Sequence, residues 1–398
     1  AGASKSAAPV TMTYSKQVGV SGIAAKANES SVRVIIILMP ASITTNVNEA
    51  LKKLTPWLED RLDYPQELLL MSSGSPEDTG FSNETLIINA EYKRKGSTHK
   101  DLYVLRIKPT GFQVFPEYNL DKQVLIMNEL HDLGLPTPKV LWNESSPEVI
   151  GSPFYLMRYI EGVAPPDSPP FHMDLNCWVA LASKDEREKI WWEWVHYMSE
   201  VHLIDLKKVD LISLDRSDLG KRPLDQEIKY YQNFLKWALP NEEHKVCEEV
   251  FTWLENNKPS LDVNPTSLVW GDCRCGNILY KDFEATALLD WEMAILGDPV
   301  MDLSWGIAVD DANSLGLSVP RLEGFPKAEE TIEKWQQKTG YDPCNYFYYR
   351  ILALQKFSII MIMTSKKMII NGAMPEDSDY YINNHVTQFM RKELEENG

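Results

Sequence analysis

The stretch 267–305 carries two short apolar runs, 267–270 and 287–289, with three polar residues placed at their ends: Asp272, Asn277 and Asp290, at intervals of five and thirteen residues. Apolar runs this short, bounded by glycine and turn residues, read as buried strands. Residues 278–280, a turn at 281–284 and residues 287–289 form a predicted hairpin, and closing it sets Asn277 beside Asp290. Both side chains offer oxygens to a hard cation, so they are the candidate ligands of Mg²⁺. Asp272 follows Gly271 at the head of a loop, where its carboxylate can orient an incoming hydroxyl and accept its proton. Arg274, two residues on, can neutralise charge on a transferred phosphoryl group.

Phosphoryl transfer from a nucleotide needs those parts and little covalent chemistry besides. An Asp-x4-Asn followed by an Asp after the next strand is the protein-kinase way of spacing them. Taken singly, each of the three would be a turn or cap residue. Their joint spacing, with glycine at fixed places among them, is what favours the catalytic reading. Gly297-Asp298-Pro299 and Asp302 form a second cluster, read as structural: Asp302 is expected to cap a helix and bond back to the catalytic loop.

Upstream, Arg106 and Lys108 share one face of a predicted strand over 101–108, because side chains repeat every two residues. Either can reach the α- and β-phosphates. The polar loop 72–83, with Gly74 and Gly80, offers backbone N–H groups to phosphate but matches no Walker A pattern. Around it the pattern predicts a helix over 46–61, strands at 68–71 and 84–92, a helix over 120–133 and strands at 139–142 and 154–159. A proline-dense loop, V-A-P-P-D-S-P-P-F-H, then leads into helical patterning that continues almost to the end, apart from the motif region. Trp191, Trp194, Val195, Met198 and Val201 fall on one helical face, expected to be core.

Composition narrows the partners. A net charge of −17 disfavours nucleic acid, whose polyphosphate calls for lysine and arginine. Five cysteines (Cys177, Cys247, Cys273, Cys275, Cys344) make no disulfide framework at this length, and they fit a reducing cytoplasm. The apolar stretch 346–370 is interrupted by Arg350, Lys356, Lys366 and Lys367, so it is expected to be a buried helix rather than a membrane span. Residues 1–46, rich in Ala, Ser and Thr, read as a poorly ordered extension with one strand at 32–39.

The motif passage resembles that of the aminoglycoside phosphotransferase and choline kinase superfamily, closest to the bacterial branch related to kinase domains fused to acyl-CoA dehydrogenases. The resemblance runs over about 48–370, through G-F-S-N-E-T, V-L-R-I-K-P-T-G, L-P-T-P-K-V, I-G-S-P-F-Y-L-M, P-P-D-S-P-P and G-D-x-R-x-G-N. It implies an α+β, bilobal protein-kinase-like fold: a small mixed N-lobe with an antiparallel sheet over 47–162, and a larger, mainly helical C-lobe over 163–398. It implies ATP and Mg²⁺ as cofactors and a small-molecule hydroxyl as acceptor; an aminoglycoside, a hydroxyacyl thioester or another metabolite fits equally. Asp272 takes the place of the catalytic base, with Arg274 beside it, and Asn277 and Asp290 the places of the Mg²⁺ ligands. Arg106 stands where the phosphate-binding lysine usually sits, with Lys108 near it. Gly80, Ser82 and Asn83 fall in the phosphate loop. The backbone of Arg158 and Ile160 is expected at the adenine edge, and the acceptor near Asp310 and Asp311. Two positions depart from the pattern. Trp270 replaces the usual histidine, and Gln123 replaces the glutamate expected to pair with the strand cation. Both departures leave room for a second reading, a catalytically weak, pseudokinase-like nucleotide-binding protein.

Overall fold

The computed structural model describes residues 46–74 and 84–398. The predicted strand at 32–39 and most of the loop 72–83, with Gly80, Ser82 and Asn83, lie outside the described residues. The smaller lobe opens with α1 (Val47–Arg61), which starts where the Asn46 side chain accepts the Glu49 N–H. Then come β1 (Gln66–Gly74), β2 (Glu84–Arg94) and β3 (Ser97–Ile107), helix α2 (Leu120–Asp132), and β4 (Val140–Glu144) and β5 (Phe154–Arg158). The sheet order is β1-β2-β3-β5-β4, and every neighbouring pair is antiparallel.

Alternation along these strands decides which side chains reach the cleft. Leu86, Ile88 and Ala90 of β2, Leu105 and Ile107 of β3, and Phe154 and Leu156 of β5 are buried on one face, under Leu54, Trp57 and Leu58 of α1. Each fully buried large apolar side chain of this kind stabilises the lobe by roughly 1.5–3 kcal/mol. The residues between them point the other way. The register sets Arg106 opposite Thr85 and Tyr155, and Val104 opposite Ile87 and Met157. Val104, Tyr155 and Met157 join the core that continues through the larger lobe. One strand face is therefore the lobe's own core, and the other carries Arg106 toward the second lobe.

The larger lobe is built from α3 (Trp178–Leu181), α4 (Lys184–His202), α5 (Pro223–Ala238), α6 (Lys245–Asn256), β6 (Ser267–Val269), β7 (Ile278–Lys281), β8 (Glu284–Leu288), β9 (Ile295–Gly297), α7 (Val300–Ala312), α8 (Ala328–Thr339), α9 (Tyr346–Ile370) and α10 (His385–Asn397). α4 opens with a capping box: the Glu186 N–H donates to Ser183 Oγ, and the Ser183 N–H to Glu186 Oε2. Its tryptophan stripe is core, with Trp191, Trp194, Val195, Met198 and Val201 all buried.

The predicted hairpin forms as β7 and β8, shifted so that Leu289 lies beyond the strand. Strand β9 carries no sequence signal, because three residues are too few to show a period. It pairs with β6 through Leu268 and Leu296 and so backs the catalytic loop. The charges that interrupt α9 are used inside the lobe. Arg350 pairs with Asp311 and Glu393 at 2.8 Å each, and Lys356 with Glu227 at 2.7 Å. Among the described residues, no helix is long and apolar enough to cross a membrane.

Candidate active site

The turn out of β6 depends on a glycine. Gly271 has φ +89°, and a Cβ there would stand 2.2 Å from the Met293 carbonyl oxygen, which is backbone and has nowhere to go. The turn is held from below by Asp302 in the first turn of α7. Its Oδ2 accepts the Trp270 N–H (2.6 Å) and its Oδ1 the Gly271 N–H (2.8 Å). The bond back to the catalytic loop is as the sequence leads one to expect. The capping is different: Asp298 Oδ1 accepts the Val300 N–H at the start of α7, while Asp302 holds the loop and also meets His202 Nε2 at 3.1 Å.

Asp272 emerges from that turn into a ring of donors. Its Oδ1 accepts from Arg274 Nε (2.9 Å) and the Trp305 indole N–H (2.8 Å), and its Oδ2 from Asn277 Nδ2 (2.6 Å). Asn277 Nδ2 also reaches the Asp272 carbonyl at 2.8 Å. Arg274 is shared: Nη1 donates to Asp167 Oδ2 at 2.6 Å and Nη2 to Asn277 Oδ1 at 3.3 Å. Burial opposes its charge, yet Asp167 and Asp272 together hold the Arg274 guanidinium above its ordinary value.

Asp290 stands across the hairpin at φ +61°, with Arg106 Nη2 at 3.7 Å from its Oδ1. That oxygen is buried and accepts no hydrogen bond among the described residues. Burial pushes its carboxyl up, against the pull of Arg106. A buried carboxylate oxygen without a donor fits the role of a cation ligand. Among the described residues no cluster of three His, Cys, Asp or Glu side chains is arranged to hold a metal. Magnesium suits such a place, since it is commonly held by one or two protein oxygens together with phosphates and water.

The remaining nucleotide-side positions divide. Arg106 Nη1 donates to Thr85 Oγ1 at 3.1 Å, and Tyr155 stands opposite Arg106 in the β3–β5 register. Gln123 does not pair with it; its Oε1 accepts from the Tyr155 hydroxyl at 3.4 Å. Lys108 lies just past β3, with its backbone N–H on the Pro153 carbonyl. The Arg158 N–H is given to the Lys139 carbonyl, and among the described residues the Ile160 N–H meets no backbone carbonyl.

The sequence profile of the phosphotransferase enzyme family matches residues 83–333, more than half of the chain. The chain belongs to that family. Within the family's reach, it is 28% identical over 315 residues to acyl-CoA dehydrogenase family member 11 of Rattus norvegicus, covering 75% of this chain and 37% of that protein. It is 27% identical over 323 residues to family member 10 of Mus musculus, covering 78% of this chain and 27% of the other. The chain thus spans well under half the length of these curated relatives. Among solved structures, a Ralstonia eutropha protein grouped with the aminoglycoside phosphotransferases superposes with a TM-score of 0.59 at 19% identity, over 86% of this chain and 98% of that one. A thermostable variant of the aminoglycoside phosphotransferase APH(4)-Ia, in complex with AMP-PNP and hygromycin B, gives 0.50 at 13% identity, over 85% and 98%. These likenesses establish the bilobal α+β, kinase-like fold of the phosphotransferase family.

Several residues that shape this phosphotransferase-family site carry no sequence signal of their own. Asp167 anchors Arg274 from 107 residues away, out of the proline-dense loop. Trp305 is one of many tryptophans until its indole is seen on Asp272. A cavity beside Arg274 is lined by Asp167, Phe171, Trp191, Trp194, Val309 and Asp310. Asp310 is engaged there by His172 Nε2 at 2.9 Å and Arg321 Nε at 2.5 Å, while Asp311 turns to Arg350. Cys273 and Cys275 are buried in the loop, and burial pushes both thiols up, so they fill space.

Proposed function

We propose that this chain is an ATP-dependent phosphotransferase that moves the γ-phosphate to a hydroxyl of a small molecule. One observation carries the reading: Asp272, Asn277 and Asp290 converge at one end of the β7–β8 hairpin, with Asp272 fixed by three donors. Asp272 orients the acceptor hydroxyl and takes its proton. Such positioning supplies much of the rate in phosphoryl transfer. Arg274, with Nε on the base and Nη1 on Asp167, presents fixed positive charge beside the place where the phosphoryl group passes. Arg106 steadies the phosphates from the strand face.

The orphaned Asp290 Oδ1 and the Asn277 side-chain Oδ1, which accepts from Arg274 Nη2 at 3.3 Å, are the groups that would hold Mg²⁺. Bound there, the ion neutralises phosphate charge. In this reading 47–162 is the nucleotide-binding lobe and 163–398 the acceptor-binding lobe. The Arg158 carbonyl and the Ile160 N–H are the backbone groups left to meet the adenine edge.

The test is Asp272→Asn. It is expected to abolish turnover while the nucleotide still raises the melting temperature, because nucleotide at a hundred times its Kd adds about 2.7 kcal/mol to a protein that binds it. Full turnover in this variant overturns the proposed base. Wild-type protein that is stabilised by Mg-nucleotide yet phosphorylates nothing in a broad panel of hydroxylated acceptors would be a binding protein instead, as the replacements at Trp270 and Gln123 allow.

A further inference from the structure

Asp290 is held in a conformation it does not favour by itself. At φ +61° it occupies the left-handed region, disfavoured by up to about 1–2 kcal/mol for L-residues though less so for Asp, and it presents a buried oxygen that accepts no hydrogen bond among the described residues. Something nearby must make that conformation the stable one. The peptide planes flanking Leu289 show what does. The Leu289 N–H donates to the Asn277 carbonyl at 2.9 Å, which ties the near side of the turn to the catalytic loop. On the far side, the Leu289 carbonyl belongs to the same rigid peptide plane as the Asp290 nitrogen. That carbonyl accepts the indole N–H of Trp270 at 2.8 Å.

Trp270 is itself immobile. It is fully buried, its own backbone N–H is taken by Asp302, and its ring lies flat on Trp291 with centroids 4.7 Å apart and planes 10° apart. The residue on either side of Asp290 is therefore gripped by the same side chain, Leu289 by a hydrogen bond and Trp291 by stacking. We infer that Trp270, at a position where the motif leads one to expect histidine, is a positioning residue that sets the Leu289–Asp290 peptide plane and thereby aims the Asp290 carboxylate at the Mg²⁺–nucleotide site. Trp270 touches neither substrate nor metal in this scheme. It acts through Asp290, one residue beyond the carbonyl it holds. The inference rests on the phosphotransferase reading above and adds to it a residue with its own separable effect.

The experiment measures Mg²⁺ dependence of AMP-PNP binding by calorimetry or thermal shift, in the full chain, so that turnover is not needed. Trp270→Phe keeps an aromatic ring on Trp291 and removes the donor. Trp270→His returns a ring N–H with less stacking area. Losing one buried hydrogen bond corresponds to a change of roughly five- to tenfold. The Mg²⁺ concentration for half-maximal AMP-PNP binding is therefore expected to rise roughly five- to tenfold in Trp270→Phe, with AMP-PNP affinity in EDTA unchanged. Trp270→His is expected to recover to within about twofold of wild type, following the same bond estimate.

If Trp270→Phe matches wild type, or if both variants are shifted equally, the hydrogen bond has no positioning role and the inference falls. Loss of AMP-PNP affinity in EDTA to the same degree also overturns it, because the defect is then general unfolding of the site. Wild-type protein without any Mg²⁺-dependent binding would overturn the phosphotransferase reading first, and this inference with it.

Discussion

Asp302→Asn is the sharpest perturbation of the scaffold beneath the catalytic loop, because the side chain keeps its size and loses only its charge and one acceptor. Asp302 is 1% exposed and serves three donors: the N–H groups of Trp270 and Gly271, and His202 Nε2 at 3.1 Å. The third is fixed as a donor by its other side. The Trp335 indole N–H donates to His202 Nδ1 at 3.0 Å, so Nδ1 accepts and the ring proton sits on Nε2. An asparagine offers one carbonyl oxygen to these three donors and turns its NH₂ group on at least one of them.

The expected cost is one charge-assisted bond, about 2 kcal/mol, plus about 1–2 kcal/mol for a backbone N–H left buried and unpaired, hence roughly 3–4 kcal/mol. Against a total stability of about 5–15 kcal/mol this is a large fraction. Equilibrium urea unfolding should show a lower midpoint at unchanged slope. The kcat of the surviving folded protein should fall as well, because Asp272 is two residues from Trp270. A change below about 1 kcal/mol would refute the reasoning, since it would mean that the loop keeps its turn without this carboxylate.

Two further outcomes can be checked on the same instruments. Gly271→Ala places a Cβ 2.2 Å from the Met293 carbonyl oxygen at φ +89°, so it is expected to cost at least about 3 kcal/mol or to prevent soluble expression. Wild-type-like stability would show that β6 and the 291–293 turn can part without loss. His385 is predicted to make the protein acid-sensitive. Burial pushes its pKa down to about 4, below the ordinary value near 6.5, so the unfolded chain binds the proton more readily. Its contribution is complete above pH 6.5 and is lost as pH falls toward 4. Between pH 7.5 and 5 it accounts for about 2 kcal/mol. In His385→Gln, urea midpoints measured at those two pH values should differ by correspondingly less than in wild type; an identical pH dependence would contradict the assignment.

The parts of this protein that could be read from its sequence are those encoded by short-range spacing. Asn277 and Asp290 were legible as neighbours because one hairpin brings them together, and a hairpin is announced by two apolar runs and a turn; Asp272 was legible from its place after Gly271, five residues before Asn277. The buried face of α4 was legible because Trp191, Trp194 and Met198 repeat at helical spacing. What remained hidden depends on contacts between distant segments. Asp167 to Arg274, Trp305 to Asp272, and the pair Lys356–Glu227 join residues 33 to 129 positions apart, and no local period marks any of them. Arg216 also reaches Glu227, at 3.1 Å. This carboxylate on α5 therefore neutralises cations on two other segments, which only the packed fold reveals. β9 is hidden for a different reason: three residues acquire strand character only from their partner β6.

The replacement of a glutamate by Gln123 looks damaging in the sequence, because a neutral side chain holds a cation weakly. The structure gives Arg106 other means. A guanidinium is a rigid fork of donors, and here Nη1 is on Thr85 of the neighbouring strand, Nη2 lies 3.7 Å from Asp290 Oδ1 across the cleft, and Tyr155 stands opposite on β5. All three come from elements that already flank β3 or face it, so no acid on α2 is required to orient the side chain. Gln123 still takes part, one step removed, because its Oε1 accepts the hydroxyl of Tyr155. The helix thus holds the tyrosine that stands opposite the cation, rather than the cation itself. The consequence is electrostatic. A lysine paired with glutamate brings its own counter-charge, whereas the nearest carboxylate to Arg106 is the one assigned to Mg²⁺. Asp290 at 3.7 Å and the more distant field of Glu292 balance its positive charge, a separation that leaves the guanidinium able to turn toward a phosphate without breaking a close ion pair.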